Sequence, residues 1–541
     1  MLNYDAILRN VREDVGAYST LPADFIVGFS RYFDPRHKDY VARVQAWQQF
    51  LCEGETCDRG LLPLLVRGKL GFVWGKKFLL DAEPTNLAGC HQLALLFWKE
   101  EVAFDDKQLD WNSLESRLSV SGRPEEGHAL VRKLSDRLRR TIGEAPRWCD
   151  LVGRCGSGVT ADKMDALERW YPTSCPIDVD QEFYRFNDHD DRVFSPRLVP
   201  ARASAVPKNR KGPRFVASEP ASSMMAQLAV ADALEEELHR LFHHRVPLRD
   251  QDKHRQFLRR PKQATIDLSN ASDLISVELV TQLFPQRWSD LILGSRSQCV
   301  QTPNGITAMQ TVAPMGNGYC FRVLCTVCAT LCSVVCRHPW SVYGDDIIVD
   351  RDDFSVVCWG LSVLGLEVNT LKSCTGDYIE SCGLELYRGV DITPFKLKRV
   401  FSSRLGPMDL IAAVNAADRG LRNLASWLCP LREVHVQYYR PYQCLIAKLP
   451  LRTKRKLEIK PDGWGGLYRW YSLRRAEEHY EVEVSISEPR IQGWSWVRLD
   501  EVEWMFDMIG VKPTFKLCLP KGKPSRPSCL DKRLAKATKS D

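Results

Sequence analysis

No stretch of this sequence stays apolar long enough to cross a bilayer. The longest candidate, Val323 to Cys336, has 14 residues, includes Thr and Ser, and is fenced by Arg322 and Arg337. A spanning helix needs about 20 predominantly apolar residues, so this run reads as a buried helix. The start, "MLNYDAILRNVRED", is charged and lacks the apolar core of an export signal. The chain is therefore expected to work without export and to keep its 19 cysteines as reduced thiols. Internal repeats and low-complexity blocks are absent as well. What remains is ordinary globular composition, 44% hydrophobic and 26% charged over 541 residues. That length suits two to four domains or one large enzyme with subdomains.

Charge is present but unevenly placed. The net charge is +7, and residues 511–541 alone carry nine Lys or Arg against Asp531 and Asp541. The local excess equals that of the whole chain. This tail reads as flexible and suited to a polyanionic partner, with a merely solubilising role as the plainer alternative. Cysteine is clustered too: Cys325, Cys328, Cys332 and Cys336 recur at spacings that line one face of a helix. Structural zinc sites gather ligands from separate loops or turns, and cysteine is a good small core residue. Core packing is the expectation.

Along the chain, residues 1–195 read as mixed and mostly helical. In "GHALVRKLSDRLRRTIGEAP", Leu130, Val131, Leu134, Leu138 and Ile142 form an apolar stripe opposite a basic face. From 185 to 220 the chain turns loop-rich and basic, and "LRDQDKHRQFLRR" reads as a short helix ending before Pro261. "QATIDLS" follows as a strand, with "NASDLISVELVTQLF" as its helical continuation. "WSVYGDD" and "IIVD" read as a tight hairpin in which Gly344 supplies the permissive φ. "MDLIAAVNAADRGLRNLASWL" beyond 400 is expected to be helical, ahead of an aromatic-rich end.

The hairpin carries two adjacent carboxylates, Asp345 and Asp346, and the preceding strand ends at Asp267. If the two elements are neighbours in one sheet, all three acidic groups converge on one edge. Clustered carboxylates repel unless neutralised, and Mg²⁺ is a natural neutraliser because it binds one or two carboxylates plus waters and phosphates. Two such ions can clamp the attacking and leaving oxygens of a phosphoryl transfer.

In order along the chain, "AVPKNRKGPRFVASEP" (205–220), "ATIDLSNASDLIS" (264–276), "PMGNGYCF" (314–321), "YGDD" (343–346), "GLEVNTLKS" (365–373) and "ESCGLELYRGVDITPF" (380–395) resemble motifs of RNA-directed RNA polymerases. The fuller strings resemble the replicase subunit of the single-stranded RNA bacteriophages, the leviviruses. The resemblance covers roughly residues 200–400. It implies an α+β right-hand polymerase with an antiparallel-sheet palm, fingers and a helical thumb. The divisions it suggests are 1–195 (N-terminal region and part of the fingers), 196–262 (fingers with the basic motif), 263–400 (palm) and 401–541 (thumb and basic tail).

The resemblance implies roles for particular residues. Asp267 and Asp345 would be the main metal ligands and Asp346 a supporting one, for two Mg²⁺ ions with Mn²⁺ as a substitute. Asp273 and Asn317 would lie near the incoming ribose, whose 2′-hydroxyl both donates and accepts. Lys208, Arg210, Lys211 and Arg214 would meet the triphosphate. Lys372 would stand near the leaving pyrophosphate as general acid, and Gly316 with Gly318 would let backbone approach template or nucleotide. The reaction implied is RNA-templated addition of ribonucleoside triphosphates in the cytoplasm of a bacterial host, with no membrane involved. The implied partners are host elongation factors Tu and Ts and a ribosomal protein. A reverse transcriptase is a rival, as is a non-catalytic RNA-binding protein on the same scaffold. The helix after "MGNGY", with Arg322 and its cysteines, departs from the family's pattern, as does Ser218 before Glu219. Neither departure touches the three aspartates.

Overall fold

The computed structural model describes residues 4–53, 83–101, most of 109–184, and 195–397 apart from 197–198. It also describes a few residues between 412 and 428, and the strands at 471–476, 479–485 and 513–518. The chain divides into two units, 1–431 and 432–541.

The first unit begins with helices α1 (Tyr4–Tyr18), α2 (Ala23–Tyr32), α3 (Tyr40–Glu53), α4 (Pro84–Leu95), α5 (Trp111–Ser119) and α6 (Ala129–Thr141). The stripe read from the sequence in α6 is its buried face, with Leu130, Val131, Leu134 and Leu138 inward. The basic segment then forms a hairpin, β1 (Ala201–Asn209) against β2 (Gly212–Ser218). Helices α7 (Ala221–Phe242) and α8 (Gln251–Leu258) lead into β3 (Gln263–Ile266) and β4 (Leu268–Ser269). The helix expected directly after that strand starts later. Residues 270–275 are turn and loop, and α9 (Val277–Leu283) opens where the Ser276 hydroxyl accepts the Leu279 N–H.

Next come α10 (Gln286–Ser295), β5 (Cys299–Thr302), β6 (Gly305–Ala308) and α11 (Cys320–Val335). The hairpin β7 (Ser341–Tyr343) and β8 (Asp346–Asp350) follows, then α12 (Arg351–Val363), β9 (Glu367–Val368), β10 (Tyr378–Ser381), β11 (Leu384–Tyr387) and α13 (Arg422–Leu428). The architecture is α+β. Its central sheet is antiparallel, in the order β3-β8-β7. A second sheet joins the basic hairpin to β5 and β6 in the order β2-β1-β5-β6, with β1 and β5 parallel.

Alternation along β8 decides what covers the central sheet. Ile347 and Val349 enter a large core shared with α6, α7, α9, α11 and α12. Ile348 is equally buried but lies outside that core, on the side where α8 and β10 pack. The cysteine face of α11 behaves as expected, with Cys325, Cys328 and Cys332 inside the core and Cys336 at its edge. Among the described residues no helix is long and apolar enough to cross a membrane.

Two expectations are corrected here. Cys52 and Cys374 are joined in a disulfide rather than both being free thiols, because the end of α3 lies against the segment before β10 with the two Cα atoms 5.0 Å apart. The other correction concerns the helical end of the chain. In the second unit the described residues form a three-stranded sheet of Tyr471–Ala476, His479–Ser485 and Pro513–Cys518. The physical reason is visible in "HYEVEVS", where Tyr480, Val482 and Val484 alternate with glutamates at the strand period of two. The rest of the basic tail, and most of the segment from 401 to 421, lie outside the described residues.

Candidate active site

The β7–β8 hairpin closes in a two-residue turn, since Tyr343 pairs with Asp346 and leaves Gly344 and Asp345 at the tip. Gly344 has φ +68°, and a Cβ there would come within 2.5 Å of the Phe321 ring. No other residue fits both demands. Its N–H donates to the Cys325 sulfur at 3.1 Å, so one cysteine of α11 supports the turn from beneath.

Asp267 is the residue after β3, whose last residue, Ile266, pairs with Ile347. It therefore arrives at the same end of the sheet as the turn. The loop 369–373 holds it there. Asn369 Nδ2 donates to its carboxylate at 2.8 Å, Lys372 Nζ approaches at 3.1 Å, and its own N–H donates to Ser373 Oγ at 3.1 Å. Burial opposes the charge on Lys372, yet Asp267 and Glu380 outweigh it and raise the ammonium's pKa.

Asp345 and Asp346 diverge, as neighbours at the start of a strand must. Asp345 is exposed at the tip. Desolvation by the protein around it and the charge of Asp267 push its carboxyl upward, against Lys372 and Arg214. Asp346 turns toward β10 and β11, where Cys382 Sγ stands 3.2 Å from its Oδ2. Burial, then Glu380 and Asp345, push it up to about 7. Asp267 and Asp345 thus share a site, and Asp346 stands behind them. Among the described residues no three His, Cys, Asp or Glu side chains form a ready-made metal cage.

The basic hairpin sends only part of its charge to this place. The surrounding protein, then Arg214, Lys372 and Lys99, push the Lys208 ammonium down to about 8, against the pull of Asp267. Lys208 and Arg214 therefore face the acidic pair. Lys211 is exposed at the hairpin turn, its N–H bonded to Asn209 Oδ1. Arg210 departs from the phosphate role. Its guanidinium donates to Glu100 at 2.7 Å, to the Pro35 carbonyl at 2.6 Å and to Tyr4 Oη at 2.9 Å, so it ties the hairpin to the N-terminal helices.

The glycine-rich loop departs as well. Gly316 has φ +110°, and a Cβ would sit 2.4 Å from the Ala217 carbonyl oxygen. Its missing side chain serves the approach of β2, while the Ala217 N–H donates to the Met315 carbonyl at 2.8 Å. A Cβ on Gly318 would meet Gln227, whose Oε1 accepts the Gly318 N–H at 2.9 Å. Asn317 is buried, with Nδ2 donating to Glu219 at 3.2 Å and Oδ1 accepting the Tyr319 N–H at 3.1 Å. Its amide is bonded to Glu219 and Tyr319 within the protein. Glu219, which the motif reading passed over, organises this. It is fully buried, takes the Ser297 hydroxyl at 2.6 Å, and has its pKa raised by that burial. A carboxylate between Ser218 and Pro220 at a strand end was its one sequence signal.

Asp273 lies on the loop before α9. Its carbonyl accepts the Thr311 hydroxyl at 2.7 Å. Its carboxyl, raised by burial, is opposed chiefly by Arg117 of α5, whose Nε is 3.4 Å from Oδ2. Asp273 and Asp345 both act on the Cys320 thiol at the start of α11, which places them around one helix end. Nothing in the sequence singled out Arg117.

Residues 173–423 match the model of the family described as "RNA replicase, beta-chain". That stretch is similar to the RNA replicase beta-chains. The chain is 31% identical over 363 residues to the RNA-directed RNA polymerase subunit beta of Enterobacteria phage SP, covering 63% of this chain and 60% of that protein. It is 32% identical over 279 residues to the corresponding subunit of Escherichia virus Qbeta, covering 49% and 44%. The chain thus spans less than two thirds of these replicase relatives. Among solved structures, the BmCPV RNA-dependent RNA polymerase at elongation state aligns with TM-score 0.41 and 11% identity, over 66% of this chain and 39% of that one. The human picorbirnavirus polymerase with its insertion loop deleted aligns with TM-score 0.38 and 13% identity, over 63% and 76%. Likenesses this loose support no functional argument.

Proposed function

We propose that the chain is the catalytic subunit of an RNA-directed RNA polymerase, adding ribonucleoside triphosphates to a growing strand on an RNA template. One observation carries the reading. Two carboxylates from separate strands, Asp267 and Asp345, meet at one sheet end, with Lys208, Arg214 and Lys372 around them. Acid at the centre with cations at the rim suits a metal-bound triphosphate. In this reading residues 263–400 are the palm and the basic hairpin belongs to the fingers. The thumb falls among residues 401–541.

The donor set fits magnesium. Asp267 and Asp345 offer hard oxygens, and the burial and the charge of Asp267 that oppose ionisation of Asp345 are what a cation would offset. A ready-made cage is not required, because magnesium keeps several waters and takes other oxygens from substrate phosphates. When bound, two ions would polarise the reacting phosphate and neutralise developing charge. The protein's own groups do the rest. Lys208 and Arg214 hold the triphosphate so that the 3′-hydroxyl lies in line with the α-phosphate. Lys372 keeps a proton on Nζ, beside Asp267, for the departing pyrophosphate. Asp346 acts from behind, through its neighbours. Host factors Tu and Ts with a ribosomal protein would complete the assembly in the bacterial cytoplasm.

The test is magnesium-dependent incorporation on an RNA template, wild type beside Asp345→Asn, with and without bacterial extract. Wild-type activity that collapses in the variant is expected, and activity only with extract would support the host-factor assembly. Equal activity in both proteins overturns the assignment. Tight RNA binding with no turnover under any condition would favour the binding-protein reading, and a preference for deoxynucleotides a reverse transcriptase.

A further inference from the structure

The loop that was expected to supply an amide to the incoming ribose does not. Asn317 is committed to Glu219 and Tyr319, which leaves Asp273 as an acceptor without that donor. The structure brings a different donor to the same carboxylate. Arg117 sits in the last turn of α5, with Nε 3.4 Å from Asp273 Oδ2. The approach is an ion pair rather than an aimed hydrogen bond, and the buried Nε–H finds no aimed acceptor among the described residues. Its neighbour Nη1 is held by Ser113 Oγ at 3.3 Å.

The position of Arg117 is well braced. Trp111, Leu114 and Leu118 bury the other face of α5 against β1, β2 and β5, with the Trp111 ring edge-on to Phe215 at 5.1 Å. The Leu118 carbonyl accepts N–H groups from Gln310 at 2.8 Å and Thr311 at 3.3 Å. The Thr311 hydroxyl in turn holds the Asp273 carbonyl. Helix α5, the segment 310–312 and the Asp273 loop are thus tied in series, and the acceptor and the spare donor are presented side by side.

A ribose 2′-hydroxyl both donates and accepts. We infer that Arg117 and Asp273 form a two-point reader of the incoming ribose, with the hydroxyl donating to Asp273 Oδ2 and accepting from Arg117 Nε–H. Arg117 is then a specificity-determining residue contributed by the N-terminal helices. The inference rests on the polymerase reading above. A deoxyribose would make neither hydrogen bond and would leave the Arg117 Nε–H without an aimed acceptor, which is how a site built around a hydroxyl rejects its absence.

The experiment compares single-nucleotide incorporation of ATP and 2′-dATP by the full chain with its extract-derived partners, for wild type, Arg117→Met and Arg117→Lys. The expected result in Arg117→Met is a fall of about ten- to hundredfold in kcat/KM for ATP, mostly in KM, with 2′-dATP changed less than about twofold. Arg117→Lys should fall between. Thermal unfolding checks each variant, and Arg117→Gln replaces any that does not fold. Equal losses for both nucleotides, or an unchanged ratio, overturn the inference. If wild type incorporates neither nucleotide, the polymerase reading fails and the inference is judged by equilibrium binding instead. A preference for ATP over 2′-dATP that Arg117→Met abolishes upholds the ribose contact; no preference overturns it.

Discussion

Two carboxylate clusters lie in the first unit, and they are balanced in opposite ways. Around Glu385 every charge is answered. Its carboxylate, 1% exposed, meets His91 Nε2 at 2.5 Å, Lys396 Nζ at 2.5 Å and Tyr378 Oη at 2.7 Å. Trp47 Nε1–H donates to His91 Nδ1 at 2.9 Å, which fixes the tautomer that can donate to Glu385. Burial opposes the Glu385 charge, but Lys396 and His91 overcome it and lower its pKa. Around Asp345 the neighbours include like charges, and the carboxyls of Asp345 and Asp346 are pushed up. The first cluster is closed and neutral, and its task is to join α3 and α4 to the β10–β11 hairpin. The second is open at the turn, and the cations near it, Lys372 and Arg214, do not offset burial and like charge on Asp345. The fold answers the charge of Glu385 with partners and leaves that of Asp345 opposed by burial and by Asp267.

The sharpest break in that comparison is Asp345→Asn. Incorporation should fall more than about a hundredfold, while denaturant unfolding shows no loss of stability, since a repulsion has been removed. Loss of stability in step with activity would contradict the contrast. The reverse case is Glu385→Gln, which leaves the part-buried Lys396 ammonium without its counter-charge and weakens the acceptor that His91 meets. It should cost about 3–5 kcal/mol in denaturant unfolding, with activity lost only as folded protein is lost.

Magnesium should separate the clusters next. At about ten times its dissociation constant it should add about 1.4 kcal/mol to wild-type stability, a gain retained in Glu385→Gln and absent in Asp345→Asn. The smallest effect is in pH. Asp346 keeps its proton when folded up to about 7, whereas an unfolded aspartate loses it near about 4. Its contribution therefore favours the fold at low pH and fades as pH rises across that window. Glu385 runs the other way: its contribution is present above the ordinary glutamate value and is lost as pH falls below it. Metal-free urea titrations should show Asp346→Asn flattening the decline between about pH 4 and 7. Glu385→Gln should flatten only the acid side. Identical profiles for the two variants would erase the distinction.

The local part of this site was legible because it obeys local rules. A glycine between apolar strands announced the Gly344 turn, and strand pairing brought Asp267 to it. The apolar stripe of α6 and the cysteine face of α11 were legible for the same reason. Strand alternation also contained the divergence of Asp345 from Asp346, and the shared charge is there too, since Asp345 and Asp267 both act on the Asp346 carboxyl. What could not be read was which long-range partner wins a given side chain. Arg210 has the composition of a phosphate ligand, but Glu100 lies 110 positions away and claims it. Asn317 turns inward because Glu219, 98 positions earlier, is buried beneath it. Arg117 has no motif, only a place in space.

The N-terminus of α13 rests on a similar reach. Asp14 in α1 accepts the N–H groups of Asn423 and Leu424 at 2.8 and 2.9 Å, across 409 and 410 positions. During synthesis at about 5–20 residues per second, Asp14 leaves the ribosome roughly 20–80 s before the helix it caps exists. The first helix of the chain must stay available throughout translation of the sheet, the turn and the hairpins between. A nascent chain truncated before Asn423 leaves Asp14 without these two partners.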